Sequence, residues 1–353
     1  MIAALGEDQL AIQRAAHDFL ADAAGTETVR AAVEGPTGFD ATLWQGITEM
    51  GFAGLMVPEA HGGLGMGATE MALVLEEMGR VLAPVPFFET AVLAVRAVLA
   101  GGDETQRATL LPRLAVGARA SLAGTADRPE IRGDRLVGTA SFATNAHVAE
   151  LIFVLTADNR IAVLEAGTPG LTITPLPSLD RSRRFARLEM DCAIAPDAIL
   201  PQPGAGAHVL LVGGGLLAAE QTGAAQFSLD ATVDYAKQRV QFGRTIGSFQ
   251  AVKHMLADMM LLVEASRSAA YAAAGAIDGG VAVAEACHVA RSYVSDAFRS
   301  VAGDAIQLHG GIGFTWEHHA HLYFKRAQAT ASWLGTPDRH REALAAHILK
   351  DAA

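Results

Sequence analysis

Between Glu7 and Ala23 the apolar residues Leu10, Ile12, Ala15, Ala16, Phe19 and Leu20 recur close to a 3.6-residue period, which predicts an amphipathic helix. A second helix is predicted over Ala41–Met50, closed by Gly51 as a natural C-terminal residue. The Pro- and Gly-rich run Val57–Gly65 reads as loop, and a helix resumes over Thr69–Val81. From about Arg119 to Pro203 the period drops to two. Arg135–Phe142, Leu151–Leu155, Ile161–Leu164 and Leu171–Pro175 read as short strands. No helix-length segment separates them, so an antiparallel sheet is expected. Beyond a linker at Pro201–Gly206, long helical patterns cover His208–Lys237, Ser248–Gly275, Val281–His309 and Arg339–Ala352, implying an up-and-down bundle. The expected fold is mainly α with a central β domain. An N-terminal helical domain would span 1–118, a small antiparallel β domain 119–205 and a C-terminal four-helix bundle 206–353.

Composition narrows the function. Apolar residues make up 51% and aromatic residues 6% of the chain, a mix that suits closely packed helices. The net charge of −11, with no concentrated basic run, disfavours nucleic acid. A few arginines and helix N-termini can still grip an anionic cofactor. Cys192 and Cys287, the only cysteines, have neither metal-site nor disulfide spacing, so no metal and a reducing cytoplasm are expected. Met1–Gly6 lacks the charged start and apolar core of a signal peptide. Val209–Ala219, the most apolar stretch, is too short to span a bilayer and reads as a buried core helix.

Three glycine-rich motifs invite chemistry. Gly63-Leu64-Gly65-Met66-Gly67-Ala68 fits a dinucleotide-binding string, but Pro58-Glu59-Ala60-His61 precedes it where that fingerprint needs a strand, so a turn is expected. In Tyr235–Gln250, Gly243 and Gly247 interrupt one long helix and let another start near Ser248, a suitable N-cap. Arg239 and Arg244 flank that break, where they could bind a pyrophosphate or simply be solvated at a helix end. In Gln307-Leu308-His309-Gly310-Gly311-Ile312-Gly313-Phe314-Thr315 the glycines permit close approach of a ligand to the backbone; a helix C-cap and turn is the plainer alternative.

Taken in order with Val57-Pro58-Glu59, Gly62-Gly63, Gly65 and Glu76-Glu77-Met78-Gly79-Arg80, these segments resemble the acyl-CoA dehydrogenase family over nearly the whole chain. The resemblance implies the same order of helical, β and helical-bundle domains, with FAD bound between subunits. It would place Arg239 at the FAD pyrophosphate, Phe242, Phe249 and Gln250 along the adenosine, and Gln307, Gly310 and Gly311 on the same dinucleotide from the neighbouring subunit. Phe142 and Thr144 fall where the family has a W-I-T-N strand, the ring packing on the isoalloxazine and the hydroxyl bonding near its reactive nitrogen; Phe142 could equally be an ordinary sheet residue. Thr336 joins the cofactor contacts. The implied reaction removes an α-proton from an acyl-CoA while the β-hydrogen leaves as hydride to the flavin. An electron acceptor such as an electron-transfer flavoprotein would follow.

The reaction needs a carboxylate over the α-carbon. Common family members carry it in a Y-E-G-T string, matched here by Trp333-Leu334-Gly335-Thr336, with Leu334 at the Glu position. A second group places it early in the first bundle helix, at the position of Gly213. Glu220 is the nearest remaining candidate, its alternative being a structural Glu paired with an Arg of another helix. Asp338 is a further option, with a helix N-cap as its alternative. The family's T-E-P-x-A-G-S-D loop is replaced by Gly124–Glu130. This pattern resembles short actinobacterial members, some of which pair with a different subunit in steroid side-chain degradation. Four readings therefore stand: a self-sufficient dehydrogenase homo-oligomer, a dehydrogenase completed by a paralogous subunit, a non-catalytic partner subunit, and a flavin oxidase or monooxygenase on the same fold.

Overall fold

The computed structural model describes residues 5–351, so most of the Met1–Gly6 segment and Ala352, the expected end of the last helix, lie outside the described residues. Helices α1 (Glu7–Ala23), α2 (Thr26–Glu34), α3 (Ala41–Glu49) and α4 (Ala68–Val81) precede a π-helix at Phe88–Ala94, which runs into α5 (Val95–Gly101) and then α6 (Glu104–Ala115). Strands β1 (Ala120–Ala123), β2 (Glu130–Arg132), β3 (Arg135–Thr144), β4 (Leu151–Leu155), β5 (Ile161–Glu165), β6 (Leu171–Pro175), β7 (Phe185–Ala193) and β8 (Ile199–Leu200) follow. Next come α7 (Ala205–Gln238), a hairpin of β9 (Val240–Gln241) and β10 (Arg244–Thr245), then α8 (Gln250–Gly279), α9 (Val283–His309), α10 (Ala320–Ser332) and α11 (Pro337–Asp351). The sequence pattern misses α10, so the C-terminal segment holds one helix more than the expected four.

Two compact units emerge, and neither is continuous in sequence. One contains Glu27–Gly67 and Pro84–Gly213; the other contains the chain through Thr26, Ala68–Ala83 and everything from Gly214 onward. The physical units thus cut across the expected boundaries at 118 and 205.

The first unit carries two four-stranded sheets, ordered β2-β3-β7-β6 and β1-β4-β5-β8. Pairing is antiparallel except between β1 and β4, which run parallel with Ala120 opposite Leu151. That pair departs from the expected all-antiparallel sheet; β1 reaches β4 through a long connection that contains β2 and β3, as a parallel pair requires. β7 shows strict alternation, with Ala186, Leu188, Met190 and Cys192 buried and Arg187, Glu189 and Asp191 outward. Its inner face joins Leu136, Ala140, Ile152 and Val154 in one apolar core.

The second unit is helical. Where α4 crosses α7, a Cβ on Gly79 would lie 1.9 Å from the Glu220 carbonyl oxygen, and one on Gly223 would lie 1.7 Å from that of Glu76. Only glycine permits this approach. Charged groups tie α4 to α8. Arg267 Nε and the Tyr271 hydroxyl donate to the buried Glu76 carboxylate at 3.0 and 2.7 Å. Asp278 accepts from the Ala68 and Thr69 amides at 2.6 and 2.9 Å, capping the N-terminus of α4. Among the described residues, no helix is long and apolar enough to cross a membrane.

Candidate active site

Gly63 illustrates why the dinucleotide-like string is a turn. Glu59–His61 before it forms a single 3-10 turn, not a strand, and a Cβ on Gly63 would meet the Val57 carbonyl oxygen at 2.1 Å. The glycine serves chain packing, leaving no room there for a phosphate.

The break after α7 is where side chains gather. Phe242 and Gly243 both have positive φ, 53° and 77°, as tight hairpin turns between β9 and β10 demand. The turn thrusts Phe242 outward, leaving it 91% exposed. Phe249 lies edge-on to it at 6.1 Å, with the Arg244 guanidinium 4.0 Å above the Phe249 ring. α8 begins only at Gln250; Ser248 donates its hydroxyl to the Thr245 carbonyl instead of acting as the expected N-cap. Phe242 and Phe249 line a cleft of about 320 Å³ together with Gln307, from the far end of α9. The two motifs therefore meet at one cleft of this chain. Arg239 is exposed beside this hairpin, and Gln250 is exposed with its side chain 2.9 Å from His254.

The turn after Gln307 is anchored by His309. Its Nδ1–H donates to the Ala305 carbonyl at 2.7 Å, and its ring stacks on Tyr235 at 4.4 Å. Burial holds the imidazole below its ordinary pKa, so it is neutral at pH 7. Gly310, at φ 63°, and Gly311 are exposed, with open space where a Cβ would stand.

The loop around Leu334 is equally well defined. Leu334 is buried at φ 59°. The fully buried Arg291 places Nη2 at 2.6, 2.5 and 3.1 Å from the carbonyls of Thr330, Trp333 and Gly335, neutralising the C-terminus of α10. Burial pulls the guanidinium down to about 10, still a cation at neutral pH. His340 Nε2–H donates to the Leu334 carbonyl at 3.1 Å, which leaves Nδ1 to accept from His288 Nδ1–H at 2.9 Å. Both His340 nitrogens are thus occupied, and neither it nor Arg291 can serve as a base. Thr336 accepts from the Arg339 amide at 3.4 Å and so occupies the capping position. Asp338 is not that cap; it sits exposed in the first turn of α11, paired with Arg341 at 2.6 Å.

Glu220 answers to its plainer reading. It is buried on α7 in an ion pair with Arg326 of α10 at 2.8 Å, with side-chain exposures of 5% and 2%. Closed in and neutralised, this carboxylate is a structural group. Gly213 is buried on the same helix.

In the β unit, Phe142 sits at φ 61° in a bulge of β3 and is 52% exposed, resting edge-on against Phe185 at 5.9 Å. A left-handed aromatic residue is strained. Thr144 is fully buried, and its hydroxyl has no hydrogen-bond partner among the described residues. Next to it lies a group the sequence reading missed: Glu89, fully buried in the π-helix, 3.2 Å from Asn145 Nδ2 and 3.3 Å from Arg183 Nε. A lone acidic residue within Phe87-Phe88-Glu89-Thr90-Ala91-Val92-Leu93 was the available signal. Among the described residues, no group of His, Cys, Asp or Glu could hold a metal ion.

Fold and site together define a class of helical enzyme with an inserted β unit and an aromatic cleft beside a glycine turn. Residues 6–118 match the family model of the acyl-CoA dehydrogenase N-terminal domain, and residues 208–349 that of the C-terminal domain. Acyl-CoA dehydrogenase IpdE2 of Mycobacterium tuberculosis is 35% identical over 341 residues, 94% of either chain. The fold also matches two solved structures. One is a variant of the Tcur3481-Tcur3483 steroid acyl-CoA dehydrogenase (TM-score 0.89, 31% identity, 99% of both chains). The other is the ChsE4-ChsE5 complex of M. tuberculosis (TM-score 0.91, 25% identity, 98% of both chains). The chain belongs to the acyl-CoA dehydrogenase family.

Proposed function

We propose that this chain is an FAD-dependent acyl-CoA dehydrogenase subunit that desaturates an acyl-CoA thioester between Cα and Cβ in an active site completed by a paralogous subunit. One observation carries the reading: Phe242, Phe249 and Gln307, from motifs far apart in sequence, line one cleft. The residues present fit FAD. The cleft offers flat apolar walls to an adenosine, Arg239 is free at its edge to pair with a pyrophosphate, and Gly310 and Gly311 leave backbone open beside it. Gln250 and Thr336 join this set by family resemblance. In the β unit, Phe142 would present its ring to the flavin and Thr144 would give its unpaired hydroxyl to a ring heteroatom. Bound FAD supplies the hydride acceptor.

The chain's own residues set the limits of what it does. Proton removal from an α-carbon needs a buried carboxylate. Leu334 and Gly213 occupy the family's seats for it, and Glu220 is committed to Arg326. A second subunit therefore provides the base. The Tcur3481-Tcur3483 steroid acyl-CoA dehydrogenase supports this arrangement and a bulky, steroid-derived acyl group as substrate, and the two-protein ChsE4-ChsE5 complex supports the arrangement. An electron-transfer flavoprotein would reoxidise the flavin.

Leu334 also favours a second reading, a non-catalytic subunit that only braces its partner's cofactor. The test is to purify the chain alone and co-expressed with a paralogous acyl-CoA dehydrogenase, record flavin absorbance, and titrate anaerobically with butyryl-CoA and a steroid-derived acyl-CoA. The expected result is a yellow complex bleached by the steroid thioester. A complex that lacks flavin sinks the proposal; one whose flavin is bleached just as fast with Thr144→Val in this chain selects the bracing role.

A further inference from the structure

Glu89 is costly where it stands. It is wholly buried within Phe88–Ala94, a run that is apolar apart from Glu89 and Thr90. A buried carboxylate must be paired and hydrogen-bonded to be tolerated, and an apolar residue of similar size would often serve stability as well. Its two measured donors, Asn145 Nδ2 and Arg183 Nε, both address Oε1. Oε2 is buried without a hydrogen-bond partner among the described residues. Stability alone does not account for such a group.

What Glu89 does hold is the residue after Thr144. Asn145 is left-handed, at φ 53° and ψ 18°, and starts the short 3-10 turn Ala146–Val148. Its amide donates to the Arg184 carbonyl at 2.7 Å, and its side chain donates to Glu89. On the other side, Ser121 donates its hydroxyl to the Thr144 carbonyl at 2.7 Å. The π-helix contributes twice, because Thr90, beside Glu89, accepts from the Ala120 amide at 2.9 Å. The wider turn of a π-helix, often found at functional sites, lets these adjacent side chains reach separate strands. Around Thr144 the backbone and the Asn145 side chain are engaged, while the Thr144 hydroxyl and Glu89 Oε2 have no partner among the described residues.

We propose that Glu89 is a positioning residue that acts through Asn145 to aim the Thr144 hydroxyl at the flavin, and that its charge, balanced by Arg183, sets the electrostatic environment of that contact. The inference rests on the reading of Thr144 as a flavin contact. In Glu89→Gln, a side chain of the same shape can still accept from Asn145 and Arg183, but through weaker, uncharged hydrogen bonds that hold Asn145 less firmly, and one buried negative charge is lost. Losing a buried negative charge nearby favours the reduced, anionic flavin.

The experiment compares the wild-type complex with Glu89→Gln, Thr144→Val and the double variant, measuring apo-protein melting temperature, FAD content, the visible spectrum and the flavin midpoint potential. Glu89→Gln is expected to keep FAD content and melting temperature, move the potential upward, and slow flavin reduction roughly tenfold to a hundredfold. Adding it to Thr144→Val should change reduction little further, since coupled residues are non-additive. If wild type binds FAD and Glu89→Gln has its spectrum, potential and rate, or if the two substitutions add fully, Glu89 is not a positioning residue. If Glu89→Gln fails to fold, Glu89→Asp and Asn145→Ala carry the same measurements, and wild-type flavin properties in both overturn the proposal. A wild-type complex without FAD removes the flavin reading itself, and this inference with it.

Discussion

Gly223 packs so closely on Glu76 that a Cβ would sit 1.7 Å from the Glu76 carbonyl oxygen, and Gly79 makes the reciprocal contact with Glu220. Two helices distant in sequence thereby approach at backbone distance. The obstacle on each side is main chain, which cannot swing away as a flexible side chain would. Gly223→Ala should therefore cost about 3 kcal/mol or more, above the usual range for overpacking. Urea denaturation would read this as a lower midpoint at unchanged slope. Gly275, which has open space around its Cβ position, is the control, and Gly275→Ala should be neutral or slightly stabilising.

The same crossing bears the Glu220–Arg326 pair. Removing either partner strands a buried charge, so Glu220→Ala or Arg326→Ala should lose about 3–5 kcal/mol. The joint replacement Glu220→Leu with Arg326→Met should recover most of that loss. Equilibrium unfolding of wild type, Glu220→Leu, Arg326→Met and the double variant completes a cycle; additive losses would mean the pair is not coupled.

Acid should loosen the Leu334 turn first. Burial, chiefly, holds His340 down at about 4, against an ordinary 6.5. The folded state thus binds the proton less readily than the unfolded state. The stability this contributes is fully present above pH 6.5 and is lost as pH falls toward 4. His288 is depressed in the same direction, again mainly by burial. Melting temperature measured across that window should fall with pH, and His340→Gln should flatten the fall.

Phe242 is the most exposed large apolar side chain among the described residues, and it lines the cleft shared with Phe249 and Gln307. Phe242→Ala and Gln307→Ala should each raise the FAD dissociation constant roughly tenfold, about 1.4 kcal/mol. Apo-protein melting should stay unchanged, because neither side chain is buried in the core. Flavin fluorescence titration distinguishes this from a general loss of fold.

Local pattern decided much of this protein. Helical periodicity located α1, α4, α7, α8 and α9 to within a few residues, since one buried face per helix suffices to write that signal. The positions of Arg239, Phe242 and Gln307 were legible because turns and glycines mark them. α10 escaped because Ala320–Ser332 mixes His, Lys, Arg and Gln among its apolar residues and shows no clean stripe.

Tertiary structure alone decided the rest, and for one physical reason: a partner distant in sequence leaves no local trace. Nothing around Glu220 names Arg326, nothing around Glu76 requires a glycine on α7, and nothing in Ala120–Ala123 foretells a parallel neighbour at Leu151. Glu89 reads as an anomaly in an apolar run until folding brings Asn145 and Arg183 to it. The sequence set which segments coil, extend and turn; only the packed chain determined which buried charges are neutralised and by whom.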